Sequence, residues 1–151
     1  MAERGVFQGR TAFHEAHPTA LAVYCSDGRF TESVEELLRA LGHERLDTLT
    51  MPGGPALLHS FAALLIEYEA AASATRFLIR GHGITRAVLV AHSGCGYYRA
   101  RYAGESSERV QARQHDDLRG ARDLLVAANP GLTVDLFYAS AAATVRFVAV
   151  T

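Results

Sequence analysis

Two short apolar runs, each delivering a cysteine, limit what this chain can fold into. Leu21-Ala-Val-Tyr-Cys25 is bounded by Pro18 and Gly28, and Ala87-Val-Leu-Val-Ala-His92 runs into Ser93-Gly-Cys95-Gly96. Runs this short, apolar at nearly every position and bounded by breakers, read as buried strands rather than helices. Their ends bring Cys25, His92 and Cys95 to turns, where polar side chains are free to do chemistry.

The intervening segments supply helices. Ser33-Val-Glu-Glu36 has the form of a capping box, and Val34, Leu37, Leu38 and Leu41 follow at helical spacing up to Gly42, which predicts a helix of about ten residues. Arg45 to Thr50 alternates like a strand and enters the breaker cluster Met51-Pro-Gly-Gly-Pro55, a loop. Leu58, Phe61, Leu65 and Tyr68 mark one face of a further helix, and Ala70 to Ala74 allows a break before a second one through Phe77, Leu78 and Ile79. After the strand at Ala87 to Ala91, a helix begins near Tyr97, a loop spans Gly104 to Ser107, and Asp117 to Ala128 forms a helix stopped by Asn129-Pro-Gly131. Strands at Leu132 to Tyr138 and Val145 to Val150 finish the chain, and residues 1–18 form an arm or short helix of the kind that packs on a partner subunit. Such alternation specifies an α/β fold: a mostly parallel central sheet with helices on both faces, whose two last strands can make an antiparallel edge. Ligands of such sheets gather beyond the carboxyl ends of the strands, where Cys25, His92 and Cys95 fall.

Composition removes several function classes. The chain has 151 residues, 49% of them hydrophobic, which suits one domain over residues 1–151 with a real core. Lys plus Arg number 15 against 16 Asp plus Glu, so no overall field attracts nucleic acid or anionic membrane. No stretch approaches the roughly 20 apolar residues of a membrane span, and the first residues lack a signal peptide's apolar run. Both cysteines lie in the two motifs, which argues against a disulfide scaffold and for reduced thiols in the cytoplasm.

Two thiolates and an imidazole at neighbouring strand ends make three ligands of a tetrahedral zinc ion, leaving one position open for catalysis. Gly94 and Gly96 let the backbone turn so that His92 and Cys95 face one metal, and a helix starting after Cys95 favours its thiolate. Asp27 is placed to accept a hydrogen bond from a water on the zinc, with Arg29 holding Asp27 through a charge-assisted pair. Zinc lowers the pKa of that water to about 7, giving a hydroxide nucleophile for a small electrophile such as carbon dioxide.

Cys25-Ser-Asp27-Gly-Arg29 followed by His92-Ser-Gly-Cys95-Gly96 resembles the paired motif of the beta-class carbonic anhydrases. The resemblance implies a zinc α/β fold assembled as a homodimer or a multiple of dimers, a lyase activity on carbon dioxide and bicarbonate, zinc ligands Cys25, His92 and Cys95, and Asp27 with Arg29 as catalytic dyad. It further implies that Asp27 can bind the metal itself once its pairing with Arg29 is broken. The chain departs from the family where Met51 to Pro55 replaces Arg-Asn-Ala-Gly-Asn, and where Ala16 replaces a substrate-binding Gln nine residues before the first Cys. With those side chains gone, the backbone N–H groups of Gly53 and Gly54 are the candidates for substrate contact. The altered loop leaves two alternatives to carbonate dehydratase activity: a zinc hydrolase of carbon disulfide or carbonyl sulfide, which the family also includes, and a catalytically silent zinc-binding homologue.

Two other motifs compete. Ala91-His-Ser93-Gly-Cys95 after a strand has the shape of a nucleophile elbow, but that fold needs an acid and then a His after the nucleophile, the only downstream His is His115 with only Glu105 and Glu108 between, and the chain is short for a hydrolase fold. Cys95 and Arg101 have phosphatase-loop spacing, but Tyr97 and Tyr98 stand where small residues would expose N–H groups to phosphate.

Overall fold

A computed structural model of the chain describes residues 4–151. Its elements run β1 (Ala20–Cys25), α1 (Gly28–Ala40), β2 (Asp47–Met51), a 3-10 helix (Gly54–Leu58), α2 (Leu65–His82), β3 (Arg86–His92), α3 (Gly96–Arg101), α4 (Ser107–Ala128), β4 (Thr133–Ser140) and β5 (Arg146–Ala149). The strands form one sheet in the order β2-β1-β3-β4-β5. The first four run parallel, and β5 pairs with β4 antiparallel, as the sequence led us to expect.

Side chains of β1 and β3 alternate between two apolar layers. Leu21, Val23, Ala87 and Leu89 pack with Leu57, Ala71, Leu118 and Leu125 from the 3-10 helix, α2 and α4. Ala22, Tyr24, Val88 and Val90 pack on the other face with Phe30, Val34 and Leu38 of α1. Both central strands are buried on both faces, which is why their sequences read as continuous apolar runs.

Three helix boundaries differ from the sequence expectation, each for a local reason. Helix α1 starts at Gly28 rather than near Ser33, because Asp27 caps it by accepting the Arg29 N–H. The helix thereby gains Phe30, whose spacing to Val34 and Leu38 completes the buried stripe. The segment expected to hold two helices around Ala70 to Ala74 is the single helix α2, since alanine is the strongest helix former and nothing there interrupts the backbone. It begins only at Leu65, where Glu67 accepts the Leu64 N–H, so Leu58 belongs to the 3-10 helix and Phe61 to an exposed turn. Helix α4 begins at Ser107, capped by Ser106, ten residues before the apolar spacing becomes visible at Asp117.

The N-terminal arm carries neither helix nor strand over its described residues; residues 1–3 of the expected arm lie outside that range. It is tied down near its end, where Arg45 donates to the Ala16 carbonyl and His17 stacks on His82.

Candidate metal centre

Strand order reverses direction at β1 and β3: the chain leaves β1 toward β2 on one side and β3 toward β4 on the other. At such a switch point the connections diverge and open a crevice at the carboxyl ends. Cys25 is the last residue of β1, His92 the last of β3, and Cys95 caps the amino end of α3. Gly94 turns the backbone between them at φ +64°, a conformation that glycine adopts without strain.

The three side chains converge. Their ligand atoms all lie within 4.8 Å of one another, the two sulfurs 3.9 Å apart, and all three residues are buried. Nδ1 of His92 donates to the Ser93 carbonyl at 2.8 Å, which fixes the ring and leaves the lone pair on Nε2. That Nε2 is buried and has no hydrogen-bond partner among the described residues. An orphaned imidazole nitrogen costs free energy unless something takes its lone pair, and between two thiols the group that fits is a soft or borderline cation such as zinc.

The two thiols share protons unequally. Cys25 is driven toward thiolate, chiefly by the hydrogen bond from Cys95 and further by the neighbouring His92 side chain, against the opposing effect of burial. Cys95, as that bond's donor and a buried group, is pushed up. A bound divalent cation overrides the difference, since a coordinating thiol is deprotonated outright.

Asp27 and Arg29 form the fork anticipated from their spacing. Nε and Nη2 of Arg29 donate to Oδ1 and Oδ2 of Asp27 at 2.9 and 2.6 Å. These bonds hold the Asp27 carboxyl down at about 2, against the ordinary 3.8. Oδ2 of Asp27 stands 3.9 Å from Nε2 of His92, at the edge of the ligand cluster.

Gly53 and Gly54 are buried in the loop under the site. A Cβ on Gly53 would meet the Tyr97 ring at 2.8 Å, so this loop packs directly against both metal-site turns.

Other residues escaped the sequence reading. Gln114, buried in α4, donates to the His92 carbonyl at 2.8 Å. Phe30 packs on the His92 ring with centroids 4.2 Å apart. Beneath α3, Asp117 accepts from the Tyr98 hydroxyl at 2.5 Å and bonds Nδ1 of His59 at 2.9 Å. The signal for Gln114 was present: it falls on the same helical stripe as Leu118, Ala121 and Leu125, where a polar residue needs a partner. The rival motifs do not assemble. Ser93 Oγ accepts the Ala141 N–H, and Arg101 turns to Tyr97 and Glu67 rather than to Cys95.

No family model matches the chain, nor does any curated protein sequence. Solved structures do. The beta-carbonic anhydrase CafA of Aspergillus fumigatus superposes with a TM-score of 0.61 at 15% identity, over 88% of this chain and 76% of that one. The fold is that of the beta-carbonic anhydrases. The beta-carbonic anhydrase isoform I of Trichomonas vaginalis gives a TM-score of 0.58 at 12% identity, over 93% of this chain and 88% of that one. A tetrameric beta-carbonic anhydrase of Sordaria macrospora gives 0.56 at 16% identity, over 88% and 81%. A beta-carbonic anhydrase-like fold at such identities means that the layered sheet is kept while most side chains differ.

Proposed function

We propose that this protein is a divergent beta-class carbonic anhydrase, a zinc-dependent carbonate dehydratase that interconverts carbon dioxide and bicarbonate. The observation that carries the reading is the buried, partnerless Nε2 of His92 facing two thiols with the Asp27 carboxylate at its edge. Zinc held by Cys25, His92 and Cys95 would supply a water acidic enough to ionise near neutral pH. Asp27 would accept a hydrogen bond from that water and orient it toward the carbon of carbon dioxide. Arg29 keeps Asp27 ionised and at the edge of the ligand cluster. Hydration would form one oxygen–carbon bond in place of a carbon–oxygen π bond and release the water's proton to solvent, leaving bicarbonate.

Stopped-flow hydration with a zinc-loaded sample across pH 7 to 9, around the roughly neutral ionisation of zinc-held water, tests this directly. Absence of hydration at every pH, with zinc stoichiometric, would refute it.

A second reading keeps the metal and changes the electrophile to carbonyl sulfide or carbon disulfide. It is supported by the loop Met51–Pro55, which offers no side-chain donors, an environment suited to a less polar cumulene. Sulfide release from either gas, without carbon dioxide hydration, would select it.

The active unit in this reading is a cytoplasmic homodimer or a multiple of dimers, each chain one zinc domain. Phe61, Leu64, Leu65 and Ile66 stand exposed around the start of α2, and Phe7 and Phe13 stand exposed on the arm; apolar clusters of this kind mark association surfaces. No helix among the described residues is long and apolar enough to cross a membrane.

A further inference from the structure

Beside the metal centre lies a cleft that carbon dioxide does not need. It has a volume of about 470 Å³ and opens between the α3–α4 connection and the ends of β3 and β4. That is the size of a site for a small organic molecule, roughly 300 to 1,000 Å³, and far exceeds a triatomic gas. Cys95 forms part of its wall, whereas Asp27 and His92 are not among its lining residues. The proposed hydration chemistry therefore leaves most of the cleft unused.

Charge accounting narrows what the cleft takes. Arg29 reaches it but is committed to Asp27. Glu105, the one carboxylate in the lining, is held by two nitrogens of Arg113 at 2.9 and 2.8 Å. Arg99 also lines the cleft and has no carboxylate partner among the described residues. The surplus is a single guanidinium, a group that recognises carboxylates through paired N–H donors. Tyr102 and Val110 give the cleft an apolar wall, with the Ser140 hydroxyl as a neutral polar group.

We propose that this cleft binds a small organic monocarboxylate, its carboxylate on Arg99 and its apolar body against Tyr102 and Val110. A second carboxylate would meet Glu105 rather than another free cation. Bicarbonate lacks the body that the apolar wall would cover, and phosphate would meet one arginine where it needs a cradle of donors. The cleft adjoins the metal centre and shares Cys95 and Arg29 with it, but the proposal does not depend on which reaction runs there.

Benzoate, a carboxylate on a flat apolar ring, is the probe. Isothermal titration of the zinc-loaded full chain should show saturable binding. Arg99→Ala should weaken it about tenfold or more, the loss expected for a hydrogen-bonded charge, and Gln111→Trp, which fills the cleft, should abolish it. Arg101→Ala, which lies outside the cleft, should leave it unchanged. Benzyl alcohol, the same body without the charge, should bind more weakly than benzoate. Thiocyanate, which can occupy an open metal position but lacks the body, should not displace benzoate.

Absence of saturable binding, equal affinity in Arg99→Ala, or displacement by thiocyanate would each overturn the proposal, the last by locating benzoate on the metal. Carbon dioxide hydration on the same samples reports separately on the proposed reaction, so either reading can fail without the other.

Discussion

Gly54 lies so close to the strand end that a Cβ on it would stand 2.6 Å from the backbone nitrogen of Cys25, and its φ is +49°. Cys25, the first of the candidate ligands, and the breaker loop thus approach each other closely through their backbones. Gly54→Ala meets both the left-handed backbone and rigid main chain, and should cost about 2 kcal/mol or more of stability. Urea unfolding measures this; a loss within about 0.5 kcal/mol, the scatter of neutral surface changes, would show that the loop shifts freely.

Cys95→Ser replaces a thiolate with a weak ligand at the amino end of α3. Purified protein should lose its stoichiometric zinc by metal analysis while keeping its helical circular dichroism. Retained zinc would remove Cys95 from the ligand set.

Gln114→Leu deletes the bond to the His92 carbonyl and leaves that buried acceptor unpaired. Loss of a group that orients a ligating histidine typically costs about 10- to 100-fold in metal affinity. Competition against a zinc chelator should show a loss of about tenfold, and unchanged zinc affinity would confine this bond to a packing role.

Much of this was legible in the chain because the strongest signals are local. Buried strands are short and apolar throughout, so β1 and β3 were recognisable, and the cysteines and histidine at or just beyond their ends marked the site. Helix starts were less legible. Asp27 serves both as cap of α1 and as partner of Arg29, and its capping role was hidden behind the stronger-looking Ser33 and Glu36. The first turns of α4 carry polar residues on their exposed faces and show little apolar period, so only the later, core-facing part was visible. The pairing of Tyr98, Asp117 and His59 could not be read at all, since it joins three segments far apart in sequence.

That pairing is itself testable. Asp117→Ala leaves the Tyr98 hydroxyl and the His59 ring without their shared acceptor in a buried place, and should destabilise the fold by about 2 to 4 kcal/mol. Tyr98→Phe, which removes one donor and leaves Asp117 its bond to His59, should cost less. Equal losses in urea unfolding would mean that His59 contributes nothing.

His115 gives a pH dependence away from the metal ligands. Burial, then the positive Arg119, lower its pKa from 6.5, and its Nε2 is buried without a partner among the described residues. The folded state therefore favours the neutral ring; the full stability is present above about 6.5 and declines as pH falls toward the lowered folded value. His115→Phe should keep the edge contact with Tyr138 and flatten the fall in melting temperature between neutral and mildly acidic pH. A fall unchanged in this variant would assign the acid sensitivity elsewhere.

The reversal of strand order between β1 and β3 also fixes when the metal can act during folding. Cys25 and Cys95 are 70 residues apart in the chain, and between them lie α1, β2, the 3-10 helix, α2 and β3. Pairing across such a separation pays its loop-closure entropy before any contact rewards it. A nascent chain that has emerged only as far as α2 holds one of the three ligands. In this protein a tightly held zinc ion would report a sheet already closed at its centre, and would act as a late lock on the folded chain rather than as the seed around which it forms.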